Sequence, residues 1–143
     1  MNKENLTKFL MDMDKTFPIP LSDKICIYYY AEKLMKNATF CYKEDNYGNI
    51  IGLVAGYLNN IDKKIAYITI VAVKKKYTRK GIAGNLIKKF IIKCRDSGIN
   101  AVHLYTHKTN KGAIILYNKL GFINYIETEI RKWNRNLLSK YIK

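Results

Sequence analysis

The chain has 143 residues, enough to bury one sizeable core but too few for a separate substrate domain, so residues 1–143 are expected to form a single domain. Hydrophobic residues make up 48% and charged residues 26%, with no Pro-, Ser- or Gln-rich tract, which excludes a disordered or fibrous chain. The formal net charge of +15 admits a polyanionic partner, yet only Arg79, Arg95, Arg131 and Arg135 are arginine. Arginine is the better bidentate reader of phosphate and guanine, so nucleic acid is disfavoured. The lysine excess is read as drift in an AT-rich genome, with an anionic substrate or cofactor using part of it.

Cys26, Cys41 and Cys94 are odd in number and lack the paired spacing of zinc sites, so neither a disulfide framework nor a metal site is expected. Charged residues interrupt the apolar ones at the N-terminus and no run reaches membrane-spanning length, which points to a cytoplasmic protein without a membrane partner. Cys94 falls on an apolar helix face and is expected to be packed rather than reactive.

Leu6, Phe9, Leu10 and Met13 recur at helical spacing and predict a first helix, stopped near Thr16 by the prolines of Phe17-Pro18-Ile19-Pro20. Ser22 is a candidate cap for a second helix running to about Asn37. Strand-like runs follow at 39–43, 50–58 and 65–73, joined by short turns as an antiparallel meander. Gly81 opens a helix with Ile82, Leu86, Ile87, Phe90, Ile91 and Cys94 on one face, and Gly98 closes it. A strand at 101–106, a helix at 110–120, a strand at 122–127 and a tail strand or short helix around 137–142 complete the chain. Strand–helix alternation after a meander implies a crossover into parallel pairing and an α/β fold with helices on the sheet faces.

The most informative stretch is 73–86, where a strand passes through the basic loop Lys74-Lys75-Lys76-Tyr77-Thr78-Arg79-Lys80 into a helix opened by Gly81. A helix start leaves main-chain N–H groups unpaired and carries partial positive charge, and small residues at 81, 83 and 84 let an anion approach the backbone. The P-loop ending Gly-Lys-Ser/Thr is absent, as are the third glycine and the ribose-binding acid of a dinucleotide loop. A pyrophosphate-binding helix start survives this test, beside the plainer reading of a tight turn.

Thr78-Arg79-Lys80-Gly81-Ile82-Ala83 resembles the acetyl-CoA loop of the GNAT superfamily of N-acetyltransferases, Arg/Gln-x-x-Gly-x-Gly/Ala, except that Thr78 stands at the first place. The stretch from Asn110 to Phe122 is similar to the same family's Asn-x-x-Ala-x-x-x-Tyr-x-x-x-Gly-Phe. The resemblance is strongest over residues 50–125. It implies a mixed, mostly antiparallel sheet with a splayed parallel strand pair and helices on both faces, beginning one strand late because the family's usual first strand is missing.

The resemblance further implies acetyl-CoA as acyl donor, held by main chain at Val71 and Val73 and by Thr78, Arg79, Lys80, Gly81, Ile82, Ala83 and Gly84. Asn110 and Tyr117 lie two turns apart on one helix face and can serve one ligand. Tyr117 is expected to act as general acid toward the departing thiolate, and Asn110 to bind cofactor or acceptor, with a helix N-cap as its plainer role. Many relatives carry a glutamate before the glycine turn, and 66–70 has none. Water, a weakly basic amine or His107 would then manage the proton, His103 less so. The acceptor is expected near the 17–23 loop, with one or two of Tyr28, Tyr29, Tyr30 and Glu32 reaching it. The partner expected is a small-molecule amine such as an amino sugar, metabolite or antibiotic, with a second copy of the chain as a homodimer left open. The alternatives are a protein amine as acceptor, or a non-catalytic CoA- or nucleic-acid-binding module of the same fold.

Overall fold

The computed structural model describes residues 1–60, 62, 64–107, 109–124 and 130–134. Helices α1 (Lys3–Met13) and α2 (Ile27–Asn37) precede strands β1 (Thr39–Glu44), β2 (Ile50–Asn60) and β3 (Ile65–Val73). Helix α3 (Ile82–Asp96), β4 (Ala101–Tyr105), α4 (Lys111–Lys119), β5 (Ile123–Asn124) and β6 (Ile130–Asn134) follow. The six strands form one sheet in the order β1-β2-β3-β4-β6-β5, with β3 and β4 parallel and the other neighbours antiparallel. Among the described residues no helix is long and apolar enough to cross a membrane.

The apolar spacing of α1 becomes a buried stripe of Leu6, Phe9, Leu10 and Met13, each contributing roughly 1.5–3 kcal/mol as an upper estimate. Asn2 caps the helix by accepting from the Asn5 N–H at 2.8 Å. Together with Ile27, Ala31 and Leu34 of α2, the stripe covers one face of the sheet at Leu53, Ala55, Ile70 and Ala72. Helices α3 and α4 cover the other face, where Phe90 and Ile87 are fully enclosed and Cys94 is packed as expected. Burial pushes the Cys94 thiol up to about 12, which keeps it inert.

Three expectations change. Ser22 does not cap α2: it sits in a 3-10 turn, Leu21–Asp23, and gives its N–H and hydroxyl to the Asp14 carboxylate at 2.8 and 2.5 Å. A charged acceptor on a neighbouring turn outcompetes a helix end that begins only at Ile27, after Cys26. The α-helical part of the first helix stops at Met13, and 14–16 tightens into a 3-10 turn ahead of the prolines. Residues 130–134 form a strand inserted between β4 and β5, where no strand was read. The tail around 137–142 and the end of the 122–127 strand lie outside the described residues.

The sheet carries a fault that positions the site. Gly56 of β2 pairs with Ile68, but Ala55 pairs with Ile70, so β3 holds an extra residue there. Ile68 consequently faces α3, whereas Ile70 and Ala72 face α1 and α2, and Val71 and Val73 turn back toward α3. Pairing of β3 with β4 ends at Ile68–Leu104. Beyond it β3 runs on to Val73 without a β4 partner, where the resemblance implies a splay.

Candidate functional site

The turn into α3 is set by two left-handed residues, Arg79 at φ 63° and Gly81 at φ 77°. Glycine accepts that geometry freely; arginine does so at a cost of about 1 kcal/mol or more, a strain characteristic of functional loops. The Thr78 hydroxyl donates to the Lys75 carbonyl at 2.8 Å, so the residue at the first place of the motif closes its own turn. The first intrahelical bond runs from the Asn85 N–H to the Gly81 carbonyl, which leaves the N–H groups of Ile82, Ala83 and Gly84 without helical acceptors. These donors and the positive end of the helix dipole face the same opening.

That opening is a cavity of about 570 Å³ between the end of β3, the start of α3 and α4. Val71 and Val73 form its β3 wall, Thr78, Arg79, Gly81, Ile82, Ala83 and Gly84 its floor, and Asn110 and Tyr117 its α4 wall. Nearly all the residues singled out in the sequence therefore meet in one place. Lys80 is outside the lining; it is exposed, with Nζ 5.8 Å from the Tyr77 ring centre. The sequence did not single out Tyr77, Gly112 and Leu116 for the site, although Leu116 lies one residue from Tyr117 on the same helix side. Met13, Thr16 and Phe17 close the cavity from the connection between α1 and α2.

Tyr117 is 7% exposed, stacked at a tilt on Phe122 with 5.7 Å between ring centres. Burial alone pushes its phenol up to about 12. Among the described residues no protein group hydrogen-bonds its hydroxyl, which leaves Oη as a neutral donor at the cavity wall. Asn110 does cap α4, its Oδ1 accepting from the Ala113 N–H at 3.3 Å, and it lines the cavity as well. None of the described lining residues is Asp, Glu or His.

The other candidates lie elsewhere. His107 receives the Thr109 N–H at 3.2 Å and meets its hydroxyl at 2.6 Å, closing its own turn. His103 sits inside β4 opposite Tyr67. Tyr28 and Tyr29 are 54% and 68% exposed, and Glu32 pairs with Lys3 at 3.6 Å. Tyr30 alone of that group reaches the bulged strand, with its hydroxyl 2.8 Å from that of Thr69.

A family model described as "Acetyltransferase (GNAT) family" matches residues 6–122. The chain belongs to the GNAT family. Its relatives include N-alpha-acetyltransferase 30 of Xenopus laevis, 31% identical over 116 residues that cover 80% of this chain and 42% of that protein. N-alpha-acetyltransferase MAK3 of Arabidopsis thaliana is 30% identical over 104 residues, 72% of this chain and 55% of its own length. The chain thus spans about half or less of these two relatives. Among solved structures, a GNAT-family acetyltransferase of Staphylococcus aureus superposes with TM-score 0.73 at 20% identity, covering 92% of each chain. The PaiA N-acetyltransferase of Thermoplasma acidophilum, crystallised with coenzyme A, gives TM-score 0.71 at 17% identity over 94% of this chain and 95% of its own. Both likenesses fix the GNAT fold.

The site's own chemistry fits the acyl donor expected of a GNAT protein. Three unpaired amides and cationic loop residues suit a diphosphate. The unpaired edge of β3 suits an amide-bearing arm. A Cβ on Gly112 would meet nothing within 4 Å, and one on Gly84 would only touch Leu116 at 3.6 Å, so the floor and α4 wall are open rather than packed shut.

Proposed function

We propose that residues 1–143 form one domain that is an acetyl-CoA-dependent N-acetyltransferase whose acceptor is a weakly basic α-amino group, foremost that of a polypeptide N-terminus. The observation that carries this reading is the cavity: unpaired amides at its floor, a neutral buried phenol on its wall, and no Asp, Glu or His among its described lining residues. Ile82, Ala83 and Gly84 would hold the diphosphate through main-chain N–H groups, beside Thr78, Arg79, Lys80 and Gly81. Val71 and Val73 would offer main chain to the pantetheine arm. When bound, acetyl-CoA supplies a thioester carbonyl open to direct attack by an amine. Tyr117 keeps its proton on Oη throughout the neutral range and would give it to the departing sulfur, the phenolate regaining a proton from the newly acylated nitrogen. Asn110 commits Oδ1 to the cap of α4 and keeps its NH2 as a donor toward the ligand.

The missing base selects the acceptor. A lysine-like amine, with a reference pKa of about 10.4, is almost wholly protonated at neutral pH, whereas an α-amine at about 7.7–8.0 is partly free. The relatives named N-alpha-acetyltransferases support the same class. A small-molecule amine is the alternative acceptor, and one assay separates the two: thiol release from acetyl-CoA with free peptides, Nα-blocked lysine peptides, spermidine and an amino sugar. Turnover of the free peptides alone is expected; turnover confined to the polyamine or the sugar overturns the acceptor assignment.

Two further results follow from the geometry. The logarithm of kcat/KM should rise with pH at unit slope and level off at the acceptor's own pKa, moving when the first residue of the peptide is changed. No falling limb should come from Tyr117, whose phenol is pushed far above that range. A plateau fixed near one pH for every acceptor would instead reveal a base on the protein. The Asp14 carboxylate is held below its usual range by the Ser22 hydroxyl and then its N–H, so the clasp closing residues 14–22 stays formed at neutral pH. Asp14→Ala should release Thr16 and Phe17, raising KM for the acceptor several-fold and leaving KM for acetyl-CoA unchanged.

A further inference from the structure

The net charge is not spread through the molecule. Residues 1–62 carry seven Lys and eight Asp or Glu, whereas residues 63–143 carry nineteen Lys or Arg and three Asp or Glu. Drift in base composition explains why the cations are lysines, but not why carboxylates balance them in the first 62 residues and not beyond. The fold turns this asymmetry along the chain into one across the sheet, because α1 and α2 cover one face and α3 and α4 the other. On the outer side of α3 and α4, Lys88, Lys89, Lys93, Arg95, Lys111 and Lys119 are all exposed, with Asp96 the one carboxylate on these two helices. Among the described residues none of the six is ion-paired; the two ion pairs present join Lys3 to Glu32 and Lys74 to Asp12.

The acyl donor does not account for this field. Lys93 lies eleven residues beyond Ile82, about 16 Å along the helix, whereas salt screens exposed charges beyond about 8 Å under physiological conditions. A membrane surface would call for a continuous apolar stripe beside the cations. Here α3 spends its apolar arc on the core, and the exposed Ile92 belongs to a local recess with Phe40 and Tyr42 rather than to a stripe running along the helix. Lys89 and Lys93 border a recess beside β1, but Lys88, Arg95, Lys111 and Lys119 lie outside it, and a row of point charges that long suits a dense, regular polyanion. The scarcity of arginine excludes base reading but not phosphate binding, for which lysine is sufficient.

We infer that the outer face of α3 and α4 docks the protein on duplex nucleic acid through its phosphates, independently of sequence. Lys88, Lys89, Lys93 and Arg95 of α3 lie outside the cavity lining, and the inference does not rest on the acetyltransferase reading.

The test is fluorescence anisotropy of the whole chain with labelled 20-base-pair RNA and DNA duplexes between 50 and 200 mM KCl. Contacts to about four to six phosphates give a log–log salt slope of roughly −3.5 to −5.5. Lys88→Glu/Lys89→Glu/Arg95→Glu should weaken binding at least tenfold, with an unchanged circular dichroism spectrum and acetyl-CoA affinity. Lys8→Glu/Lys24→Glu/Lys36→Glu, which alters net charge equally on the α1–α2 side, should leave binding within about twofold. The inference fails if the two triple variants behave alike, if saturating CoA displaces the duplex, or if phosphatidylserine vesicles bind and the duplexes do not.

Discussion

Tyr117→Phe should lower kcat about a hundredfold or more, the scale of a positioned general acid, while the dissociation constant of acetyl-CoA stays within about twofold. The substitution removes one oxygen and keeps the ring, so its contact with Phe122 and its place in the core survive. Because the hydroxyl has no protein partner among the described residues, its loss should leave the melting temperature nearly unchanged. A residue that merely packs would show the reverse: unchanged kcat with altered stability. The titration gives a second signature. The folded-state pKa, about 12, lies above the ordinary 10, so the stabilising difference is fully present below pH 10 and is lost as pH climbs toward 12. Alkaline unfolding of Tyr117→Phe should therefore be shifted to higher pH than that of the parent. A kcat within twofold of the parent removes Tyr117 from the proposed chemistry.

Local chemistry made the site legible in the sequence. Gly81 marks the helix start because only a left-handed residue joins the loop to α3, and the spacing of Asn110 and Tyr117 marks a helix face without any knowledge of the sheet. The residues that line the cavity from afar were partly hidden. Met13 reads as a core position of α1, and it is one, being 5% exposed while also bordering the cavity. The fault in β3 was hidden altogether. Both faces of the sheet are covered, so burial along 65–73 alternates without interruption even though the faces exchange between Ile68 and Ile70. Period-two alternation records whether a side chain is covered, not by which helix. Ser22 misled for a related reason: a serine before an apolar run is a fair cap signal, but Asp14, eight residues upstream, competes for it only once the chain has turned back.

The charge asymmetry shows the opposite relation between sequence and structure. It stands in plain sight in the sequence, where a total of +15 conceals it, and acquires meaning only when the sheet separates the balanced helices from the basic ones. An enzyme whose opening lies between β3, the start of α3 and α4 can present a polyanion-binding face on the outer side of α3 without obstructing the cavity.

Gly56→Ala should cost about 2–3 kcal/mol and lower the melting temperature by on the order of 10 °C. A Cβ there would lie 2.5 Å from the Tyr67 carbonyl oxygen and 2.6 Å from Phe90 Cζ. Phe90 is fully buried and the carbonyl belongs to the backbone, so neither neighbour can yield as a surface side chain would. Gly56 faces the extra residue of β3 and sits under α3, the two features that open the strands and aim the helix start. Relief of the clash must therefore move the bulge or lift α3. Either displacement should weaken acetyl-CoA binding at temperatures where the variant is still folded. Gly112→Ala is the counterpart: its Cβ meets nothing within 4 Å, and an alanine inside α4 should add about 0.5–1 kcal/mol. Thermal melts of the two variants, read beside calorimetric titration with acetyl-CoA, measure both effects. Equal stability of Gly56→Ala and the parent would mean that α3 does not rest on β2 as closely as the fold requires.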